Sequence, residues 1–328
     1  MGDLMKKFLK WLLIVLMIAL TIFVAIFYKR IILTYRLVDN YISLRNSDMT
    51  TQKVDKLKIT KSISYKDIIY KNTNGVPLTL DIYSPLKVGA SPSPVILYVH
   101  GGSWVYGDKS IPDNLSPILN TFREEGYTII STSYELMRNK ANFNKQVADV
   151  KDTIRWIYKN KFNYNLDSNE IGVIGISSGA HLSLLASYSS NNEFIDDKDL
   201  SNYSSEIKYL IDFAGPTDLS LLNMNNLNYD LSKILNSIKD KNNVIKSFNP
   251  INYVSKKGPN TLIIHSSLDP TVPYKSSKEL YDKGVEEHAK VELITLNSSV
   301  HDLSSISNAD IAIISEELLK FIIINSPL

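Results

Sequence analysis

Ile171-Gly172-Val173-Ile174-Gly175-Ile176-Ser177-Ser178-Gly179-Ala180-His181 is the stretch that decides how the rest of this 328-residue chain is read. Its β-branched start reads as a buried strand, and Ser178 to Tyr188, rich in Ala and Leu, reads as a helix. The turn between them, Gly175-Ile176-Ser177-Ser178-Gly179, is a G-x-S-x-G. Such a turn lifts a serine hydroxyl above the sheet on strained backbone, and small residues at its ends let strand and helix crowd together. The amide after the serine falls in the first turn of a helix, where unsatisfied N–H groups and the dipole favour a developing negative charge. A G-x-S-x-G also arises by chance, so the strand–turn–helix setting carries the argument, not the pattern alone.

Outward from this turn, strands and helices alternate. Tyr65 to Tyr70 and Leu78 to Tyr83 read as strands joined by Asn72-Thr73-Asn74-Gly75, a hairpin turn. Ser91-Pro92-Ser93-Pro94 reads as a short stiff loop before the apolar run Val95 to Val99, which ends in His100-Gly101-Gly102-Ser103-Trp104. Leu115 to Glu125 is a helix stopped by Gly126, and Thr128 to Thr132 is a strand. Val147, Val150, Ile154, Ile157 and Tyr158 mark one face of the helix before the serine strand. Tyr209 to Ala214, Thr261 to His265 and Val291 to Leu296 are further strands, with helices over Tyr274 to Glu287 and Ala309 to Ile324. Thr217 to Pro250 matches no strand rhythm and reads as an inserted helical cap. Short apolar strands alternating with helices predict an α/β fold with a mostly parallel sheet covered on both faces. Sites on such sheets lie beyond the C-terminal strand ends, where His100, Ser177, Asp269 and His301 all fall.

A serine hydroxyl needs an imidazole to take its proton, and the imidazole needs an acid to fix its tautomer. Of five histidines, His301 is the best base, in a polar loop between the last strand and the last helix. His288 lies at a charged helix end, His265 ends a buried strand and packs or hydrogen-bonds locally, and His181 sits in the serine helix facing away from the turn. For the acid, Asp269 fits best, because Pro270 and Pro273 pin its loop directly after a strand; Asp302 and Asp218 remain rivals. Adjacent Gly101 and Gly102 can turn their amides toward a substrate oxygen and, with the Ser178 amide, form an oxyanion hole. Ser103 and Trp104 are candidates for substrate contact, although Trp104 and His100 read more naturally as scaffolding of that loop.

Composition sets the outer bounds. A net charge of +2 with scattered basic residues calls for no nucleic-acid partner, and 44% hydrophobic residues suffice for a sizeable core. With no cysteine there is no disulfide, thiolate metal site or cysteine nucleophile. Residues 1–10 form a short basic tail, and Trp11 to Tyr28 contains no charged residue, enough helix to approach the thickness of a bilayer core. Aromatic ends and basic flanks favour an uncleaved single-pass anchor over a signal peptide, for which no good cleavage site follows. Residues 29–61 read as a stalk and 62–328 as the catalytic domain, with 217–250 as its cap. Basic residues nearly balance across the span, so the short tail is what favours an extracytoplasmic domain.

These residues resemble the α/β-hydrolase fold, and more narrowly the serine esterases with a His-Gly-Gly-x-Trp loop: hormone-sensitive-lipase-like, kynurenine formamidase-like and feruloyl or acetyl-xylan esterase-like enzymes. The resemblance runs from about Tyr65 onward, through Val95–Lys109, Asp149–His181, and Asn249 to Pro273 with His301. It implies Ser177 as nucleophile, Asp269 as acid, His301 as base and Gly101, Gly102 and Ser178 as oxyanion donors, with no cofactor. Ser103 stands where many relatives carry a third glycine, and Ser267 where a glycine usually follows the strand-end histidine. The expected activity is hydrolysis of carboxylic esters, short acyl or acetyl, on a small molecule or glycan. An amidase or peptidase of prolyl-oligopeptidase type and a non-catalytic binding protein are the alternatives. Activity is expected to fall as the His301 imidazole becomes protonated.

Overall fold

The computed structural model describes residues 5–24, 35, 59–73, 75–87, 92–222, 229–297, 301 and 307–326. Helix α1 (Met5–Val24) is 20 residues long, with none of it buried, and is long and apolar enough to cross a membrane or to be a signal sequence. The last four residues of the expected span, and most of the expected stalk, lie outside the described residues. Ile59, which the sequence reading places in the stalk, is fully buried against the folded domain.

The domain opens with strands β1 (Tyr65–Thr73) and β2 (Val76–Tyr83), an antiparallel hairpin turning at Gly75 with φ +80°. Then follow β3 (Ser93–Val99), α2 (Ser116–Glu124), β4 (Thr128–Thr132), α3 (Phe143–Asn160), β5 (Leu166–Ile176), α4 (Ser178–Tyr188) and β6 (Tyr209–Phe213). The insertion supplies α5 (Tyr229–Asn236) and α6 (Lys241–Ser247), whose Leu231, Ile234, Leu235 and Ile245 are buried in the main core. The chain continues through β7 (Asn260–Ser266), α7 (Tyr274–Glu286), β8 (Val291–Leu296) and α8 (Asn308–Asn325).

All eight strands join one sheet in the order β1-β2-β4-β3-β5-β6-β7-β8. Only β2 runs against its neighbours; every pairing from β4 to β8 is parallel. Strand alternation divides the core. Val95, Leu97 and Val99 of β3 face Val147, Val150 and Ile154 of α3 and Leu182 and Leu185 of α4. Ile96 and Tyr98 of the same strand face the other layer, with Leu119 and Phe122 of α2 and Leu318 and Phe321 of α8. This is the α/β-hydrolase architecture: a mostly parallel sheet with helices on both faces.

One detail differs from the sequence reading, and one lies beyond it. Ser93 and Pro94 belong to β3, with Pro94 at a register shift against β5, where its missing N–H leaves no ladder bond unmade. The long connection between α4 and β6 is held by buried cations rather than by regular structure. Lys71 of β1, 4% exposed, reaches Asp149 and Asp152 of α3 at 2.7 Å each and Asp196 of the connection at 2.5 Å. Burial works against its charge, but the facing carboxylates outweigh it and raise its pKa. Lys151 and Arg155 of α3 donate to main-chain carbonyls of Ser190, Glu193 and Asn191 on the same connection.

β4 lies on one side of β3 and β5 on the other, so the winding direction reverses at β3. A crevice opens beyond the C-terminal strand ends at such a reversal. Gly101 follows β3 there, and Ser177 follows β5.

Candidate active site

Ser177 follows β5 with φ 52° and ψ −119°, a conformation that L residues adopt only under constraint. The constraint is visible: its amide donates to the Phe213 carbonyl of β6 at 2.8 Å, and α4 starts at the next residue. The side chain is thereby held clear of the ladder. Its hydroxyl lies 2.8 Å from His301 Nε2, and His301 Nδ1 lies 2.6 Å from Asp269 Oδ2. Because Nδ1 faces a carboxylate, it carries the proton, which leaves the Nε2 lone pair toward the Ser177 hydroxyl. Three residues from the ends of three different strands thus form one hydrogen-bonded run.

The Asp269 side chain is inaccessible to solvent. Burial alone would raise its pKa, but hydrogen bonds from His265 and His301, the electrostatic attraction of the His301 ring and the Val272 amide together hold it well below the usual carboxylate range. Its Oδ1 accepts the amides of Thr271 at 2.8 Å and Val272 at 2.9 Å, a tight turn between the two prolines. The rivals are placed differently. Asp218 caps a short 3₁₀ turn, accepting from the Ser220 amide and from Asn249. Asp302 lies outside the described residues.

The glycine loop closes the other side. A Cβ on Gly101 would lie 3.0 Å from the Ile176 carbonyl oxygen and 3.4 Å from Ser177 Cβ, so only glycine passes this close without displacing the turn. Gly102 has φ +123° and its carbonyl accepts the amides of Val105 and Tyr106, curling the loop back on itself. Ser103 and Trp104 both have positive φ, and Ser103 stays partly accessible. Trp104, a candidate for substrate contact, is instead 2% exposed and packs edge-on against Phe143 and His181. Its Nε1 donates to His181 Nδ1 at 3.1 Å, so the His181 proton sits on Nε2 and is donated to the Phe248 carbonyl at 2.8 Å. Burial lowers the His181 pKa to about 4, against the pull of that carbonyl, so the ring bridges loop and insertion as a neutral group. Gln146, fully buried, donates to the carbonyls of both Trp104 and Glu135. His100 stacks on Tyr134 at 4.3 Å between ring centroids, and burial lowers its pKa.

One contact at this site escapes sequence reasoning. His265 does bond locally, but its partner is Asp269 itself, at 3.1 Å from Nε2 to Oδ2. A histidine at a strand end four residues before an aspartate across a tight turn was the available signal. Among the described residues, no group of three or more His, Asp or Glu side chains is arranged to hold a metal ion.

Known proteins carry the same arrangement of chain. Residues 80–283 match the sequence profile of the family described as BD-FAE. The chain belongs to the BD-FAE family. That match takes in the Gly-Gly loop, the Ser177 turn and Asp269, and stops short of His301. Beyond the family, the chain is 24% identical over 209 residues to Esterase LipC of Mycobacterium tuberculosis, covering 62% of this chain and 51% of LipC. It is 25% identical over 232 residues to a probable isoprenylcysteine alpha-carbonyl methylesterase of Oryza sativa, covering 68% of this chain and 54% of that protein. The chain therefore spans about half the length of these relatives. Among solved structures, a truncated carbohydrate esterase from gut microbiota superposes with a TM-score of 0.64 at 23% identity, covering 79% of this chain and 98% of that one. This BD-FAE member thus shares its α/β-hydrolase fold with esterases.

Proposed function

We propose that this BD-FAE protein is a membrane-anchored serine esterase that hydrolyses carboxylic esters through an acyl-enzyme. The observation that carries the reading is the run Ser177 Oγ to His301 Nε2, 2.8 Å, and His301 Nδ1 to Asp269 Oδ2, 2.6 Å. Ser177 Oγ attacks the ester carbonyl while its proton passes to His301 Nε2. The carbonyl oxygen takes the charge against the amides of Gly101, Gly102 and Ser178, where one lost donor costs about 3 kcal/mol of transition-state stabilisation. The C–O bond then breaks, His301 gives its proton to the departing alcohol, and an acyl group remains on Ser177. Water, deprotonated by the same imidazole, releases the acid and restores the serine. Asp269 holds the imidazole's orientation and balances its charge throughout.

Short acyl esters, acetyl groups on a glycan among them, are the proposed substrates; the esterase relatives and the carbohydrate esterase of like fold support ester hydrolysis, and the acyl length is this proposal's own. The apolar span from Trp11, which helix α1 enters, is the proposed anchor, with residues 1–10 cytoplasmic and the domain outside; protease accessibility on intact cells tests that orientation. For the chemistry, wild type is expected to hydrolyse p-nitrophenyl acetate faster than amino-acid anilides and to take a fluorophosphonate label. Ser177→Ala is expected to lose both. A wild type that neither hydrolyses nor labels, or a label that survives Ser177→Ala, overturns the proposal.

A further inference from the structure

Asp269 Oδ2 receives two imidazoles, not one. His301 Nδ1 approaches at 2.6 Å, and His265 Nε2 at 3.1 Å. His265 is 1% exposed, and its Nε2 also lies 3.1 Å from the Val272 carbonyl oxygen. Both neighbours of Nε2 are acceptors only, so that nitrogen carries a proton. Its Nδ1 lies 2.7 Å from the hydroxyl of Ser277, a fully buried residue of α7, which can donate into the remaining lone pair. The ring of Tyr274, also on α7, meets the imidazole edge-on at 5.8 Å between centroids. Asp269 is the carboxylate in direct contact with His265, and His301 and Tyr274 are the other titratable groups drawn up around this pair.

We infer that His265 is a positioning residue for the proposed triad, acting on His301 through Asp269. The inference rests on the hydrolase reading above. The Thr271 and Val272 amides pin Oδ1, and without a second anchor the carboxylate could still swing Oδ2 about that point. The Nε2–H of His265 supplies the second anchor from a rigid strand end. Oδ2 is then aimed before His301 arrives on its separate segment, and the His301 Nδ1–H finds a fixed acceptor rather than one it must orient. Ser277 completes the device, since its hydroxyl on Nδ1 selects the tautomer that presents N–H to the carboxylate. A hydrogen-bonded line therefore runs from α7 through His265, Asp269 and His301 to the Ser177 hydroxyl. A merely space-filling histidine would have no need of this tautomer.

The test is a double-mutant cycle on p-nitrophenyl acetate hydrolysis, with folding of each variant followed by thermal unfolding. His265→Phe keeps a ring but removes the donor, and kcat is expected to fall by about 10-fold or more with KM within about twofold. His265→Gln, whose amide N–H reaches the same place, is expected to recover most of that loss. In an Asp269→Asn background, His265→Phe is expected to have no further effect, because the group it acts through is already altered. Should His265→Phe fail to fold, His265→Asn serves instead: its shorter amide reaches Ser277 but stops short of Asp269, and the same fall in kcat is expected. A folded donor-less variant that keeps wild-type kcat, or that loses the same factor with and without Asp269→Asn, overturns the inference alone. Wild type without Ser177-dependent hydrolysis overturns the hydrolase reading and this inference together.

Discussion

Gly179→Ala sets helix propensity against close packing, and the two predict opposite signs. Gly179 sits in the first turn of α4 with no unusual φ, so on an exposed helix alanine would gain about 1 kcal/mol. Here a Cβ would overlap the carbonyl oxygens of Val99 and His100 and lie 2.8 Å from the His100 carbonyl carbon. These are main-chain atoms at the end of β3, leading straight into Gly101, and no rotamer can move them aside. To reach ordinary contact, α4 and the strand end must separate by about 1 Å. Overpacking of this kind costs about 1–3 kcal/mol, which exceeds the propensity gain, so the variant is expected to be less stable in urea unfolding. The same separation pulls Ser177 and the Ser178 amide away from Gly101 and Gly102. A displacement of that size is expected to lower kcat about 100-fold with p-nitrophenyl acetate. A Gly179→Ala protein as stable as wild type, with wild-type kcat, would refute the claim that the serine turn and the glycine loop are held apart only by the thickness of a glycine.

Other changes probe the surrounding network. Asp269→Asn removes the charge that faces His301 and is expected to lower kcat by ~10³-fold or more; its amide oxygen can still accept from the Thr271 and Val272 N–H groups, but its NH2 then faces the His265 and His301 N–H groups that Oδ2 accepted, so urea stability is expected to fall by about 1–3 kcal/mol as well. An active Asp269→Asn would point to a different acid. Lys71→Met leaves Asp149, Asp152 and Asp196 without their shared cation and is expected to cost about 3–5 kcal/mol in chemical unfolding; a loss under about 1 kcal/mol would show that the cluster is dispensable. Lys151 gives a pH prediction. Burial, aided by Arg155, lowers its pKa from 10.5 to about 8. Between those values the unfolded chain binds the proton and the folded one does not, so stability rises with pH across that window. Relative to Lys151→Met, wild type is expected to gain up to about 3 kcal/mol of unfolding free energy from pH 8 to 10.5. Parallel curves for the two proteins would contradict it.

Much of this molecule is written locally. The Ser177 turn is legible because a strand, a strained serine and a helix must follow one another within a dozen residues, each with its own periodicity. The same holds for Gly101-Gly102 after β3 and for Asp269 just before its two prolines: short-range steric rules act on neighbouring residues. The apolar span is legible for a simpler reason, since length and lack of charge are properties of composition. What the tertiary structure alone decided are contacts between segments that share no local rule. Lys71 meets Asp149 and Asp152 across 78 and 81 residues, and nothing near Lys71 marks it as buried. Trp104 reads as scaffolding of the glycine loop, but that its indole nitrogen meets His181 of α4 is set only in space. The sequence marked His265 as packed or locally bonded, but its aim at Asp269 depends on α7 offering Ser277 from the far side. Hydrogen-bond direction and burial are set by which groups meet in space, and a one-dimensional pattern carries periodicity but not meeting points.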